Sequence, residues 1–175
     1  MKLIGLDPGL AVTGWGIVEA VDNRLRYVAD GTVRTDARLA LALRLQQLFD
    51  GLSEVLRNYG PVEAAVEETF VNRNAASALK LGQARAISLL VPAQFGLPVA
   101  EYAPNVIKKT VVGAGHAAKQ QVEMMVKTLL PGCLPQSPDA ADALATAICH
   151  AHQRTALNPA ALDATEPGMA EELVT

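Results

Sequence analysis

The chain has 175 residues, of which 50% are hydrophobic, and a formal net charge of −3. This length fits one domain able to bury a sizeable core. No uncharged apolar run is long enough to cross a bilayer, and the N-terminus lacks a secretory h-region and cleavage site, so a cytoplasmic protein with no membrane partner is expected.

Lys2–Asp7 is short and apolar and ends in Asp-Pro-Gly, a strand followed by a turn. Thr13–Ala20 reads as a second strand, Asp22-Asn23 as a hairpin turn, and Arg24–Thr35 as a third strand, together an antiparallel meander. Leu39, Leu43, Leu45, Leu48, Leu52, Val55 and Leu56 recur near helical spacing, which predicts a helix over 37–58 that Gly60-Pro61 stops. Val62–Glu68 is a fourth strand. An Ala-rich helix follows from Asn74 to about Phe95, kinked or ended by Pro92. Leu97–Tyr102 is a fifth strand, and Pro104–Val112, Ala117–Leu130 and Pro138–Gln153 read as helices. Residues 155–175, with Pro159, Pro167 and only acidic charge, are expected to form a disordered tail behind one domain over 1–154. Three antiparallel strands and two more reached through helical crossovers predict an α/β, ribonuclease-H-like fold: a five-stranded mixed sheet with helices on both faces.

Cys133 and Cys149 make no disulfide framework, and Cys149, His150 and His152 fit no common four-ligand zinc spacing. They read instead as residues at a solvent-facing C-terminal helix end. The charge is unevenly spread. Residues 71–130 hold Arg73, Lys80, Arg85, Lys108, Lys109, Lys119 and Lys127 against Glu101 and Glu123, while both flanks are acidic. One basic face is therefore available to phosphates despite the negative total; a solvated helix surface explains scattered lysines equally well.

Four acids stand out by position. Asp7 and Glu67 close predicted strands, where side chains can leave the core and ligands gather. Asp139 and Asp142 are spaced i, i+3 and share one helix face. Each has a plainer explanation. Asp139 and Asp142 suit the first turn of a helix, Asp7 suits a turn start, and Glu67 beside Glu68 suits a solvated strand end. Their joint placement allows convergence, and converged carboxylates are hard oxygen ligands for Mg²⁺, with Mn²⁺ as a substitute. Two such ions would clamp a phosphodiester for hydrolysis that leaves a 5′-phosphate and a 3′-hydroxyl.

At these residues the sequence closely resembles the RuvC family of Holliday-junction resolvases. The matching segments are Gly5–Gly9 with Thr13–Gly16, Val66–Phe70, Asn74–Ala86, Lys108–Gly113, Lys119–Val122 and Asp139–Ala145, in order over about residues 3–152. The resemblance implies that Asp7, Glu67, Asp139 and Asp142 are the metal-binding and catalytic acids, and it selects Glu67 over Glu68. It implies that Phe70 stacks on a base near the crossover, worth ~1–3 kcal/mol. It places Lys108 and Lys119 near the scissile strand, Lys119 with a catalytic role, while Lys109, Lys80 and Arg73 are candidate phosphate contacts. It also implies four-way junction DNA as substrate and a branch-migration helicase complex as partner. Trp15 replaces an expected Tyr, and His116 in the turn before Lys119 has no assigned role. A junction with two-fold symmetry calls for two symmetric nicks and hence a homodimer, and the small residues Ala75, Ala78, Gly82 and Ala86 would permit close helix packing across its interface. An actin-like ATPase begins with a similar Asp-Gly-Thr hairpin, but 175 residues is short for two lobes and no second Asp-x-Gly hairpin exists. A non-catalytic junction-binding protein would gain nothing from acids that repel DNA.

Overall fold

The computed structural model describes residues 1–22, 24–68 and 74–154. Its strands are β1 (Lys2–Asp7), β2 (Val12–Val21), β3 (Arg24–Arg34), β4 (Glu63–Glu67) and β5 (Val99–Tyr102). Its helices are α1 (Leu41–Tyr59), α2 (Ala75–Gln94), α3 (Pro104–Val112), α4 (Lys119–Leu129) and α5 (Pro138–Gln153). The sheet order is β3-β2-β1-β4-β5; β1–β2 and β2–β3 pair antiparallel, while β1–β4 and β4–β5 pair parallel. This is the mixed five-stranded sheet expected from the sequence. The short β2–β3 connection makes antiparallel pairing cheap, whereas the parallel pairs require the α1 and α2 crossovers.

Alternation along the central strands divides the core into two layers. Ile4, Leu6, Ile17, Ala64 and Val66 point toward α1 and α2, meeting Leu52, Leu56 and Val91. Leu3 and Val18 point the other way, meeting Ile107, Val122, Leu144 and Ile148 from α3, α4 and α5. Asp7 and Glu67 therefore fall on the α5 side, two residues beyond Gly5 and Ala65 in their strands.

On that side α5 lies directly on the sheet, because glycines leave room for its backbone. A Cβ at Gly5 would sit 2.1 Å from the Ala143 carbonyl oxygen, and one at Gly14 would sit 2.1 Å from that of Asp139. The start of α5 is also held from outside. The Ser137 side chain accepts from the Ala140 N–H. Just before it, the Gln136 N–H donates to the buried Asp30 carboxylate of β3 at 2.9 Å. Tyr27 donates to the other Asp30 oxygen at 2.6 Å, so this buried carboxylate is fully engaged.

Pro92 lies buried inside the last turn of α2, which ends at Gln94, close to the expected bound. Two expectations need correction. The first helix begins at Leu41 rather than residue 37, because Asp36 organises a turn: its carboxylate accepts from the Arg38 N–H and its carbonyl from the Leu39 N–H. Cys149 and His150 are not solvent-facing. Cys149 is fully buried, and His150 is 3% exposed, hydrogen-bonded to Tyr102 and Glu63 at 2.9 Å each. The proposed tail, residues 155–175, lies outside the described residues. Among the described residues no helix is long and apolar enough to cross a membrane.

The contact between α5 and β1 yields a direct test. Gly5→Ala must push the helix off the strand, so denaturant titration should show a loss of roughly 1–3 kcal/mol or more, the usual cost of overpacking. Unchanged stability would mean that the helix is not seated on that backbone.

Candidate active site

The β1–β4 register sets Leu6 opposite Val66, so Asp7 and Glu67 extend side by side from adjacent parallel strands. The first turns of α5 bring Asp139 and Asp142 over the same strand ends, with Gly14, the β2 partner of Asp7, under the Asp139 backbone. Three of the four, Asp7, Glu67 and Asp142, line a cleft of about 200 Å³ together with Lys108 and Lys119. Pro104, Ile107, Val122 and Ala145 form its apolar wall. That wall was not anticipated. Its signal lay in the apolar positions of α3 and α4 that flank the two lysines in sequence.

Lys119 opens α4, where the Gln121 side chain accepts from the Ala118 N–H and closes the helix start. Its ammonium donates to Asp142 Oδ2 at 3.1 Å, although the lysine side chain is 78% exposed. That ion pair holds the Lys119 charge well up in its ionised range. Asp139 lies outside the cleft lining but is close enough to act electrostatically on Asp7.

The sequence left a choice between Glu67 and Glu68. In the fold Glu67 faces the cleft, while Glu68 is exposed beyond the strand end. Lys80 and Lys109 are exposed and do not line the cleft. Phe70 and Arg73 lie outside the described residues. Trp15 faces the opposite layer, where it packs against Gly31 and lies 5.4 Å from the Tyr59 ring, so its bulk does not reach the acids.

The electrostatics of the cleft are unfavourable for bare carboxylates. Burial, followed by repulsion from Glu67, Asp142 and Asp139, pushes Asp7 up to about 8, with Lys119 opposing. Burial and Asp142 push Glu67 up to about 7, with Lys119 and Lys108 opposing. A cluster of hard oxygen donors that resists ionisation in this way fits a divalent cation, which reverses the penalty. Among the described residues no three His, Cys, Asp or Glu side chains close into a ready ligand cage, and Lys119 engages one Asp142 oxygen.

The sign of the resulting pH dependence follows from the raised values. Folded Asp7 and Glu67 keep protons that the unfolded chain gives up, so stability is fullest below about 4, where free carboxyl groups are still protonated, and is lost as pH rises through about 7 to 8. In chelator, thermal melts of the parental protein should fall across that window. Asp7→Asn should flatten the fall and raise stability at pH 8. A steeper fall in the variant would show that Asp7 carries no such strain.

The comparisons with known proteins point the same way as this geometry. The family model "Crossover junction endodeoxyribonuclease RuvC" matches residues 3–150. A RuvC from Paramagnetospirillum magneticum is 68% identical over 154 residues, covering 88% of this chain and 93% of that protein. One from Rhodospirillum rubrum is 65% identical, covering 88% and 91%. The structure of Thermus thermophilus RuvC in complex with Holliday junction substrate superposes with a TM-score of 0.82 at 33% identity, covering 89% of this chain and 96% of that one. The ribonuclease-H-like sheet, the acids at its strand ends and these matches over nearly the whole described chain make it a member of the RuvC family of crossover junction endodeoxyribonucleases.

Proposed function

We propose that the protein resolves four-way DNA junctions by metal-assisted hydrolysis of a phosphodiester in the cleft between β1, β4 and α5. The observation that carries this reading is the meeting of Asp7, Glu67 and Asp142 with Lys108 and Lys119 around one opening. Asp7, Glu67, Asp139 and Asp142 would hold two Mg²⁺ ions, with Mn²⁺ as substitute. Such ions, when bound, supply an activated water and charge stabilisation at the departing 3′-oxygen.

The remaining work belongs to the chain's own residues. Lys119 and Lys108 set positive charge beside the place where a phosphate would lie, which favours its binding and opposes charge build-up during cleavage. Ile107 and Val122 exclude water from the wall behind the acids, which strengthens each polar interaction in front of them. Exposed Lys80 and Lys109, together with Arg73, are suited to backbone phosphates, and Phe70 to stacking on a base at the crossover.

Paired symmetric nicks require two sites, and so a homodimer. The outer face of α2 supports this, since Ala75, Gly82 and Ala86 are exposed beside Leu79 at 66% and Leu90 at 55% exposure. Small residues between exposed leucines permit close approach of a second copy. The nuclease unit is taken as residues 1–154, acting in the cytoplasm beside a branch-migration helicase complex, with 155–175 as an accessory acidic tail.

The central experiment incubates the protein and Asp7→Asn with a synthetic four-way junction or linear duplex in Mg²⁺, and maps the products. Symmetric nicks with 5′-phosphate ends are expected on the junction alone. Asp7→Asn should bind at least as tightly while cutting at least ~100-fold more slowly, a loss confined to the transition state. Normal cutting by that variant would refute the assignment. Lys119→Ala should slow cleavage by about 10-fold or more, less than the loss of a fully desolvated stabilising donor because this side chain is largely exposed. In sedimentation, twice the 18.4 kDa chain mass is expected, and a strict monomer at micromolar concentration would contradict paired nicking.

A further inference from the structure

Three of the four acids ride on β4 and α5, Glu67 on the strand and Asp139 and Asp142 on the helix, and α5 runs antiparallel to β4 across the face of the sheet. Glu67 ends β4 and Glu63 begins it; Asp142 lies near the start of α5 and His150 near its end. Glu67 and Asp142 share the cleft, while Glu63 and His150 are hydrogen-bonded at the far end. From Glu63 to Glu67 the strand advances about 13 Å. From Asp142 to His150 the helix advances about 12 Å. Because the spans nearly match, the contact at one end sets the offset at the other.

The far end is a closed polar chain. His150 is 3% exposed, and its Nε2 lies 2.9 Å from Glu63 Oε2. An ionised carboxylate only accepts, so Nε2 carries a proton; burial favours the neutral ring, whose Nδ1 then accepts from the Tyr102 hydroxyl at 2.9 Å. Arg154 donates to both Glu63 oxygens, at 3.1 and 2.7 Å. Tyr102 connects this chain to the cleft. It is the β5 partner of Glu67, and its carbonyl accepts from the Glu68 N–H at 2.9 Å. The same tyrosine thus flanks Glu67 through its backbone and grips His150 through its hydroxyl.

We propose that His150, Glu63 and Tyr102 are positioning residues for the nuclease site, fixing the slide of α5 along β4 and so the separation of Asp142 from Glu67. None of them reaches the cleft. They act through the rigid elements that carry the acids, where displacements on the order of 1 Å are costly to catalysis. The inference rests on the metal-dependent nuclease reading above.

The test compares parental protein, His150→Ala, His150→Gln and Tyr102→Phe. Gln can still donate to Glu63 and accept from Tyr102, so it restores the chain, whereas Ala breaks it. Three quantities are read: kcat on a synthetic four-way junction in Mg²⁺, junction Kd in chelator, and Mn²⁺ affinity of the DNA-free protein by calorimetry. For His150→Ala, kcat should fall about tenfold and Mn²⁺ affinity several-fold, with junction Kd within about twofold of parental; His150→Gln should recover to within about twofold on all three. Parental kcat and Mn²⁺ affinity in His150→Ala would overturn the proposal, as would kcat and junction affinity falling together without rescue by Gln. If His150→Ala does not fold, Tyr102→Phe decides. It should lower kcat about threefold with junction Kd unchanged, and a parental kcat would overturn the proposal. Failure of the parental protein to cut the junction would instead bring down the underlying reading.

Discussion

The site depends on how closely α5 lies on the sheet. Two carboxylates come from strands and two from a helix, and helix and strand normally stand apart by the thickness of their side chains. Here Gly5 and Gly14 remove that spacing, so the helix backbone rests against the strands and Asp139 sits above the β2 partner of Asp7. With ordinary side chains at those two positions, the helix would be lifted and its acids withdrawn from Asp7 and Glu67. The apolar core beneath, with Leu3, Leu144 and Ile148 fully buried, supplies the binding that holds the helix down.

That closeness carries an electrostatic cost. Asp7 and Glu67 are forced toward one another and toward α5 in a partly dry cleft, and both are pushed out of the ordinary carboxylate range. A fold does not keep such an arrangement for stability, because apolar residues would fill the space at lower cost. Perturbed groups clustered in a cleft mark a functional site. The contrast with Asp30 is instructive. That carboxylate is more deeply buried, yet each of its oxygens has a hydrogen-bond donor, and it serves to hold the loop before α5.

The sequence revealed most where chain chemistry is local. α3 and α5 match their expected bounds because Pro104 and Pro138 occupy the first helical turn, where proline is favoured. The i, i+3 spacing of Asp139 and Asp142 and the strand-end positions of Asp7 and Glu67 were likewise visible. Hidden from it were partnerships across long stretches of chain. His150 meets Tyr102 and Glu63, 48 and 87 positions away, and nothing near His150 announces that burial. The short turn at Asp36 was missed for the opposite reason, since a single side chain overrode a helical apolar pattern that extended past it.

The charge of the cleft also bears on how DNA can approach it. Lys108 and Lys119 face Asp7, Glu67 and Asp142, with Asp139 close behind, so side chains alone leave negative charge in excess. A phosphate entering that opening meets net repulsion unless protons or cations make up the difference. Protons would silence the same carboxylates as ligands, whereas a divalent cation neutralises them and leaves their oxygens engaged. On the proposed reading, phosphate and cation binding are therefore linked, each favouring the other at this cleft. On the same reading, exposed Lys80 and Lys109, which lie outside the cleft lining, would hold the junction arms independently of the ions. An acid-to-amide change at Asp7 would thus separate the two functions, since it removes repulsion and a ligand together and leaves the distant basic contacts in place.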